Sequence, residues 1–408
     1  MCVREYRIHS QSPGSAGTIG HYETPIRRMT AVTAHVRRPL AILLATIVAA
    51  GGVAGIGLQH ATPAARPNAQ PRSHISVPPA PFSRRLLVYG RHPLTTAEVR
   101  ALTGAAAGPV TPVYGSELQL ASGRADYPLV PVQAFTVDPD SYAAAAEQPT
   151  LSAALQQGLV LSQTGASLRH VAVGNQLLLA DHRRLPVSAI VDDHLLGGYE
   201  IATARSVLGQ AQSAAASYLL VDAQTSPTAL RRSLPGIDLR IESRTRNGFV
   251  SSADAVLPQS QIKRLFGEFA TTAGTGTLRL DAEWRRAWLA STSLPQLGVI
   301  TCNKAIIAPL RAAMVEVTRL GLGRLIHTAD FQRQGGCYSP RVVRFGGGQL
   351  SSHAWGIGID INIDDNPLGA RPVQDPRFVA IMAKQGFIWG GLYLRPDGAH
   401  FEWVGARS

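Results

Sequence analysis

The chain has 408 residues and a formal net charge of +12, with 39 lysine and arginine residues against 27 aspartate and glutamate residues. This length allows two or three domains. The basic residues are scattered, without a long run, an aromatic platform or zinc-finger spacing, which argues against a nucleic-acid-binding protein. Attraction to other anionic partners and a simple bias toward arginine explain the charge equally well. Three cysteines in a chain this long exclude a disulfide-rich scaffold.

The first distinctive segment is an uncharged run over residues 39–58, PLAILLATIVAAGGVAGIGL. Twenty helical residues span about 30 Å, the thickness of a membrane's hydrocarbon core. Arginines precede the run, so we expect a cytoplasmic basic tail over residues 1–38 and a single-pass transmembrane anchor. A cleaved signal peptide, with translation starting at Met29, is the alternative. Both interpretations place the rest of the chain outside the cytoplasm, at the cell membrane or secreted.

Residues 59–84 are rich in proline and alanine, which is typical of an extended linker. A first folded region is predicted over residues 85–270. Strand-length apolar stretches recur there between turn residues, at 86–89, 172–173, 177–179, 187–191 and 218–221. Alanine-rich pieces near 142–157 and 203–216 predict helices. The mixture indicates an α+β domain, and no catalytic constellation is visible in it.

This first region resembles the extracellular domains of cell-division and efflux ABC permeases. The stretch VAVGNQL over residues 171–177 is followed by LPVSAIV over residues 185–191, and LFGEF over residues 265–269 has the same character. In those permeases a VG-x-x-L strand leads to a V-x-G-V-V strand. The resemblance implies an extracellular domain that could bind another protein of the cell envelope.

The C-terminal domain is predicted over residues 280–408. Residues 304–320 form an amphipathic helix with Leu310, Met314, Val317 and Leu320 on one face, ended by the glycines that follow. A second helix is expected to begin after the N-cap Asp375 and to stop near residue 386.

Two histidines and an aspartate in this domain are candidate ligands for one zinc ion. His353 lies on a predicted loop that leads into a strand, where alternating isoleucines face one side and Asp360 faces the other. His400 comes from a predicted neighbouring strand over residues 399–404. Three protein ligands with one open position are what a catalytic zinc site requires.

Two further carboxylates accompany this trio. Asp397 lies in a Pro-Asp-Gly turn three residues before His400, where a carboxylate can accept and return a proton without binding the metal. Glu402 lies on the same face of the predicted strand as His400. It could orient a ligand imidazole, or form an ordinary salt bridge on the strand.

Cys302 and Cys337 are the two cysteines of the C-terminal third. If this part of the chain is exported, they can form one disulfide, which would stabilise the fold by about 3–4 kcal/mol. Two unpaired buried thiols are the alternative, and the predicted export favours the bridge.

The pattern Ser-x-His-x-x-Gly-x-x-x-Asp over residues 351–360, followed by Asp-x-x-His-Phe-Glu over 397–402, resembles the zinc D-alanyl-D-alanine carboxypeptidases and dipeptidases of the vancomycin-resistance type. These enzymes share a fold with the zinc L-alanyl-D-glutamate endopeptidases of phage. Further matching segments are LPQLG at 294–298, GGCYSPR at 335–341, GFIWGG at 386–391 and PDG at 396–398. Together they cover about residues 284–404.

The resemblance implies a small antiparallel sheet with helices, of the Hedgehog and D,D-peptidase type, that binds Zn²⁺ through His353, Asp360 and His400. It implies that Asp397 is the general base and acid. It further implies that Arg341 stabilises the oxyanion or holds a substrate carboxylate, and that Ser351 contacts substrate. Gly358 stands where the family usually has alanine, and we expect this to loosen the packing without losing a ligand.

The expected function is therefore that of an exported zinc metallopeptidase that cuts an amide next to a D-amino acid in peptidoglycan stem peptides. A D-alanyl-D-alanine carboxypeptidase is favoured, and an L-alanyl-D-glutamate endopeptidase is the alternative within enzymes. A non-catalytic envelope scaffold is the alternative from another class. The intact set of His353, Asp360, Asp397 and His400 argues against the scaffold.

Overall fold

The computed structural model describes residues 82, 84–209, 214–243, 257–272, 278–343 and 349–405. The predicted basic tail, the apolar run at 39–58 and nearly all of the predicted linker lie outside these residues. Within the described ranges, no helix combines the length and apolar character needed to cross a membrane. Every described residue belongs to one compact unit, which lies within His74–Ser408.

A nine-stranded mixed sheet organises the first described region. Its strands are β1 (Arg85–Gly90), β2 (Val110–Ala121), β3 (Leu129–Val137), β4 (Leu159–Ser162), β5 (Gln176–Leu178), β6 (Arg184–Val191), β7 (Ile201–Ala204), β8 (Tyr218–Asp222) and β9 (Leu239–Ser243). Their order in the sheet is β5-β6-β4-β7-β3-β2-β8-β1-β9. The pairs β3–β7 and β4–β6 are parallel, and the others are antiparallel.

Six helices cover this sheet within the described ranges. They are α1 (Thr96–Ala105), α2 (Pro139–Ala146), α3 (Thr150–Gln157), α4 (Gln163–Arg169), α5 (Arg205–Leu208) and α6 (Pro227–Ser233). The predicted α+β class is confirmed, because helices accompany a sheet in which six of the eight strand pairs are antiparallel.

Three local predictions in this region were wrong or incomplete. Residues 172–173 form no strand, because the Asn175 side chain accepts from the amide of Ala172 and closes a turn there. The predicted helix at 142–157 is two helices, α2 and α3, separated at Glu147, whose φ of 56° is left-handed. Of the predicted helix at 203–216, the described residues 203–209 and 214–216 contain only one helix, α5, which Gly209 ends with a φ of 79°.

The C-terminal region contains five helices and five strands among the described residues. The helices are α7 (Gln259–Phe266), α8 (Ala282–Trp288), α9 (Lys304–Arg319), α10 (Thr328–Gln334) and α11 (Pro376–Lys384). The strands are β10 (Leu289–Leu294), β11 (Gly298–Asn303), β12 (Gly358–Asp360), β13 (Phe387–Trp389) and β14 (His400–Trp403). The strands β10 and β11 form a hairpin, and β12-β14-β13 form the predicted small antiparallel sheet.

The predicted amphipathic helix is α9. Asn303 caps its start by accepting from the amide of Ala305, and Leu310, Met314 and Val317 are buried as expected. Leu320 was wrongly placed on the apolar face: it follows the last helical residue and is 46% exposed. The helix ends one residue before the predicted end at residue 320, and Gly321, with a left-handed φ of 67°, follows as the expected terminating glycine.

The two regions share side chains across their boundary. On α7, Ile262 and Phe266 belong to the C-terminal core, whereas Lys263 reaches into the first region. In the opposite direction, Leu394 belongs to the hydrophobic core of the first region. Each region therefore completes the packing of the other.

A buried ionic network lies at this boundary. Lys263 is 1% exposed, and its Nζ lies 2.8 Å and 3.2 Å from the carboxylate oxygens of Glu200 and 3.0 Å from Glu268. Arg169 donates to the same two carboxylates at 2.5 Å and 2.6 Å. Two cations thus face two carboxylates, and the carbonyl oxygen of Pro131 also accepts from Lys263. This pairing keeps four charged groups inside the protein without an uncompensated charge.

Candidate metal centre

The small sheet brings two candidate ligands face to face. Asp360 ends β12 and His400 begins β14, and the two residues are direct partners in the antiparallel register. His353 lies on a single helical turn, Ser352–Ala354, and the Ser351 hydroxyl caps this turn by accepting from the amide of His353. Gly356, with a φ of 68°, turns the chain back so that His353 lies beside Asp360. The predicted loop-to-strand arrangement is therefore present.

The three side chains point their ligand atoms at one another. His353 Nε2 lies 3.1 Å from Asp360 Oδ1 and 3.2 Å from His400 Nδ1, and His400 Nδ1 lies 2.9 Å from Asp360 Oδ1. Tetrahedral zinc with bonds of about 2.0–2.1 Å separates its ligand atoms by about 3.3 Å. The spacing of the cluster therefore fits a zinc ion with little adjustment, and the group could hold a metal.

Contacts behind His353 fix its orientation. Its Nδ1 lies 3.0 Å from the carbonyl oxygen of Cys337, which can only accept, so Nδ1 carries the proton and Nε2 is free to bind a cation. Cys337 is held in turn by a disulfide to Cys302, which confirms the predicted bridge. The disulfide thus anchors the carbonyl that aligns one candidate ligand.

Glu402 lies behind the second imidazole. Its Oε2 is 3.8 Å from His400 Nε2, and its Oε1 accepts from the amide of Leu257 at 3.3 Å. Ser352 Oγ is 3.4 Å from the same imidazole nitrogen. Glu402 is fully buried, so its carboxylate makes these contacts inside the protein and not at the surface of the strand.

The electrostatics of the cluster favour a shared positive charge. Burial alone would lower the pKa of His400, but the hydrogen bond between its Nδ1 and Asp360, the Glu402 carboxylate behind its Nε2, and the charges of Asp360 and Asp397 raise it to about 10. Burial lowers the pKa of His353. Although burial opposes it, the two imidazoles beside Asp360 hold the pKa of this carboxyl well below its usual range. A cation suits this pocket of ligands.

Arg341 and Ser351 lie beside the cluster and are joined by a backbone hydrogen bond. The amide of Ser351 donates to the carbonyl of Arg341 at 3.0 Å, and Arg341 Nη2 donates to Asp360 Oδ2 at 3.2 Å. The guanidinium is 40% exposed. It can therefore reach a bound molecule while it remains next to the candidate ligands.

Asp397 approaches His400 from the turn before β14. Its amide donates to the carbonyl of Gly390 at 2.9 Å, and its own carbonyl accepts from the amide of His400 at 3.2 Å. Its carboxylate is close enough for its charge to raise the pKa of His400. The sequence-predicted residues Arg341, Ser351, His353, Asp360, Asp397, His400 and Glu402 are thus brought together in one place.

The expectation for Gly358 was wrong. A Cβ at this position would lie 2.6 Å from Ser352 Oγ, 2.8 Å from His400 Cε1 and 3.2 Å from His353 Cδ2. Glycine therefore does not loosen the packing here. It allows the two imidazoles to approach the strand closely.

Two neighbours of the cluster were not predicted. Tyr393 has its ring centroid 6.2 Å from that of His400, and the carbonyl of Cys337 aligns His353. The sequence signal for Tyr393 was its position four residues before Asp397, which suggests that it lies near the cluster. A backbone carbonyl leaves no such signal, because every residue has one.

Comparison with family models supports the resemblance noted for the C-terminal part of the sequence. Residues 345–403 match the family model described as D-alanyl-D-alanine carboxypeptidase, and this segment contains the three candidate ligands, Asp397 and Glu402. A search of curated proteins found no match.

Three solved structures align with the chain. The periplasmic region of MacB from Actinobacillus actinomycetemcomitans is 12% identical, with 40% of this chain and 90% of that chain covered and a TM-score of 0.29. A domain described as a permease protein from Porphyromonas gingivalis is 11% identical, with 42% and 93% covered and a TM-score of 0.28. The extracellular domain of the ABC-type transporter YknZ from Gram-positive bacteria is 9% identical, with 36% and 88% covered and a TM-score of 0.25.

Proposed function

We propose that the protein is a zinc-dependent peptidase of the cell envelope that acts on peptidoglycan stem peptides as a D-alanyl-D-alanine carboxypeptidase. One observation carries the proposal. Three ligand atoms lie 2.9–3.2 Å apart within the segment that matches the D-alanyl-D-alanine carboxypeptidase family model. Neither the spacing nor the family match alone has the same force, because buried His-Asp clusters also occur without a metal.

His353, Asp360 and His400 would hold the zinc ion through Nε2, Oδ1 and Nδ1. A bound zinc ion would supply a Lewis acid that polarises the peptide carbonyl and activates water. The Cys337 carbonyl and the Glu402 carboxylate, which lie on the far sides of the two imidazoles, keep these ligands in orientation.

The remaining steps belong to side chains around the ligands. The Asp397 carboxylate accepts a proton from the attacking water and returns it to the leaving amine. The exposed guanidinium of Arg341 stabilises negative charge on the carbonyl oxygen or holds the terminal carboxylate of the peptide. The Ser351 hydroxyl contacts the peptide beside it.

The location of the enzyme is part of the proposal. The apolar run at residues 39–58 would anchor the chain in the membrane or direct its secretion, and the Cys302–Cys337 disulfide fits an oxidising compartment outside the cytoplasm. The first region, residues 85–270, would then be available to a partner protein of the envelope.

Digestion of purified muropeptides by the full chain, with and without a chelator, tests this function. Release of free D-alanine that the chelator abolishes and zinc restores is the expected result. A stem peptide released by cleavage after L-alanine would instead show the endopeptidase activity. No product from any muropeptide, together with no zinc bound, would refute the peptidase.

An Asp397→Asn variant sharpens the test. It keeps the size of the side chain and removes the proton acceptor, so we expect zinc content to be retained and hydrolysis to fall by about 10²–10⁴-fold. Asp365→Asn is the matched control, because Asp365 is 47% exposed and pairs with His327 outside the cluster. Equal activity of the two variants would remove Asp397 from the mechanism.

A further inference from the structure

A groove lies between the first region and the segment that leads into Asp397. It encloses about 470 Å³. One wall comes from the edge of the nine-stranded sheet, with residues of β9, and from α6. The other wall includes Tyr393, Leu394 and Pro396 of the C-terminal region. Neither region could form this groove alone.

Positively charged groups outnumber negatively charged groups along the groove. Three guanidinium groups line it, those of Arg91, Arg231 and Arg240, against the carboxylates of Asp238 and Glu242. Arg91 is paired with Asp238, with Nη2 at 2.8 Å and Nε at 3.1 Å from Oδ2.

Arg240 Nε lies 3.7 Å from Glu242, so both carboxylates of the groove are next to other arginines. Arg231 has no acidic partner among the residues that the structure describes. Arg231 is exposed on the last turn of α6 and faces the groove. An exposed guanidinium beside two internally paired arginines is suited to an incoming carboxylate.

The groove and the candidate metal centre share a wall. Tyr393 lines the groove, and its ring centroid lies 6.2 Å from that of His400. Pro396 also lines the groove and directly precedes Asp397. A peptide whose scissile bond lies at the metal centre can therefore extend past Tyr393 toward Arg231.

We propose that this groove binds a carboxylate-bearing part of the stem peptide at a distance from the scissile bond, with Arg231 as its counter-ion. The inference rests on the proposed function and adds the substrate class that the site selects: acidic peptides over neutral ones. Because Arg231 is exposed, its attraction is screened by salt and contributes to the affinity more than to the chemical step.

Two synthetic peptides test the inference. Both end in D-alanyl-D-alanine and differ only in an upstream side chain, which is a carboxylate in one and its amide in the other. The full-length protein should hydrolyse the carboxylate peptide with the lower KM. In Arg231→Ala this preference should shrink by about two- to fivefold, the range expected for a partly exposed ion pair. Higher ionic strength should shrink it in the unmodified protein as well.

Arg232→Ala is the matched control. Arg232 is the exposed neighbour of Arg231 on α6 and does not line the groove, so the preference should persist in this variant. Equal preference in Arg231→Ala and the unmodified protein would overturn the inference and leave the peptidase proposal intact. A preference lost equally in both variants would reduce the effect to general surface charge and overturn it as well.

A binding measurement separates this inference from the proposed function. Each peptide is titrated into full-length Asp397→Asn, with and without the Arg231→Ala change. The Kd of the amide peptide is divided by the Kd of the carboxylate peptide, and this ratio is compared between the two proteins. A ratio that falls with Arg231→Ala supports the groove even if no hydrolysis is ever seen. Inorganic phosphate should compete only weakly. If phosphate abolishes the preference at the concentration of the peptide, the groove binds small anions in general and the assignment to a peptide is wrong.

Discussion

The buried ionic network between the two regions predicts a large effect of Lys263→Met. Methionine keeps most of the length and apolar stem of lysine but removes the ammonium group. Lys263 is 1% exposed, and its Nζ lies within 3.2 Å of Glu200 and Glu268. Its loss leaves two carboxylates facing Arg169 alone.

Removal of one partner from a buried ion pair costs about 3–5 kcal/mol, because the remaining charge stays desolvated. The value here should lie near 3 kcal/mol, since Arg169 still donates to both carboxylates and Glu268 is 19% exposed. The matched control is Lys384→Met. Lys384 is 65% exposed and pairs with Glu316 on the surface, so its loss should cost under about 1 kcal/mol.

The pH dependence of this difference is fixed by Glu200. Burial raises its pKa, but Lys263 and Arg169 together lower it below the ordinary value. A carboxylate with a lowered folded-state pKa stabilises the fold above its unfolded pKa of about 4.3, and this contribution is lost as pH falls through the folded pKa. The gap between the unmodified protein and Lys263→Met should therefore be widest near pH 7 and narrow below about pH 4.

Urea unfolding of both variants at pH 7 and at several acid pH values measures these free energies. Equal losses of unfolding free energy by Lys263→Met and Lys384→Met at pH 7 would refute a buried ionic role for Lys263. A cost of Lys263→Met that stayed constant down to pH 3 would refute it as well, because the effect would then come from packing and not from charge.

Three further predictions concern the metal centre and its support. His400→Ala should abolish zinc binding in a titration against a chelating dye, whereas His327→Ala, which removes an exposed histidine paired with Asp365, should not; equal zinc content would exclude His400 as a ligand. Glu402→Gln should weaken zinc affinity by about 10–100-fold, since a neutral amide replaces the carboxylate behind His400; unchanged affinity would show that Glu402 does not support the ligand. Leu394→Ala should lower the free energy of unfolding by about 2–5 kcal/mol and reduce hydrolysis more than zinc affinity; intact stability would contradict its role in the core of the first region.

The parts of the site that local patterns control were predictable from the sequence. Alternation along residues 357–361 predicted a strand with Asp360 on the polar face, and His400 lies directly opposite it. The apolar spacing and the glycine that follows predicted α9 to within one residue at its C-terminal end. The strand and the helix each follow from a pattern of residues that are close together in the sequence.

The parts that depend on distant residues were not predictable. Glu200 and Lys263 are 63 positions apart, and nothing near either residue indicates the partner. Glu402 had two equal interpretations, because the amide that its carboxylate accepts from, that of Leu257, lies 145 positions earlier in the chain. Residues 172–173 were apolar enough for a strand, but the hydrogen bond that the Ala172 amide donates to the Asn175 side chain closes a turn instead.

Leu394 has a consequence for how this chain can be divided and how it could have evolved. Its side chain fills the core of the first region, and only three residues later the chain reaches Asp397. If the C-terminal region were transplanted to another protein, the Leu394 side chain would be exposed to solvent and the first region would be left with a cavity. In the sequence the two regions resemble separate domains. Their evolution must nevertheless preserve the contact made by Leu394. Substitutions around Leu394 should therefore arise in both regions together.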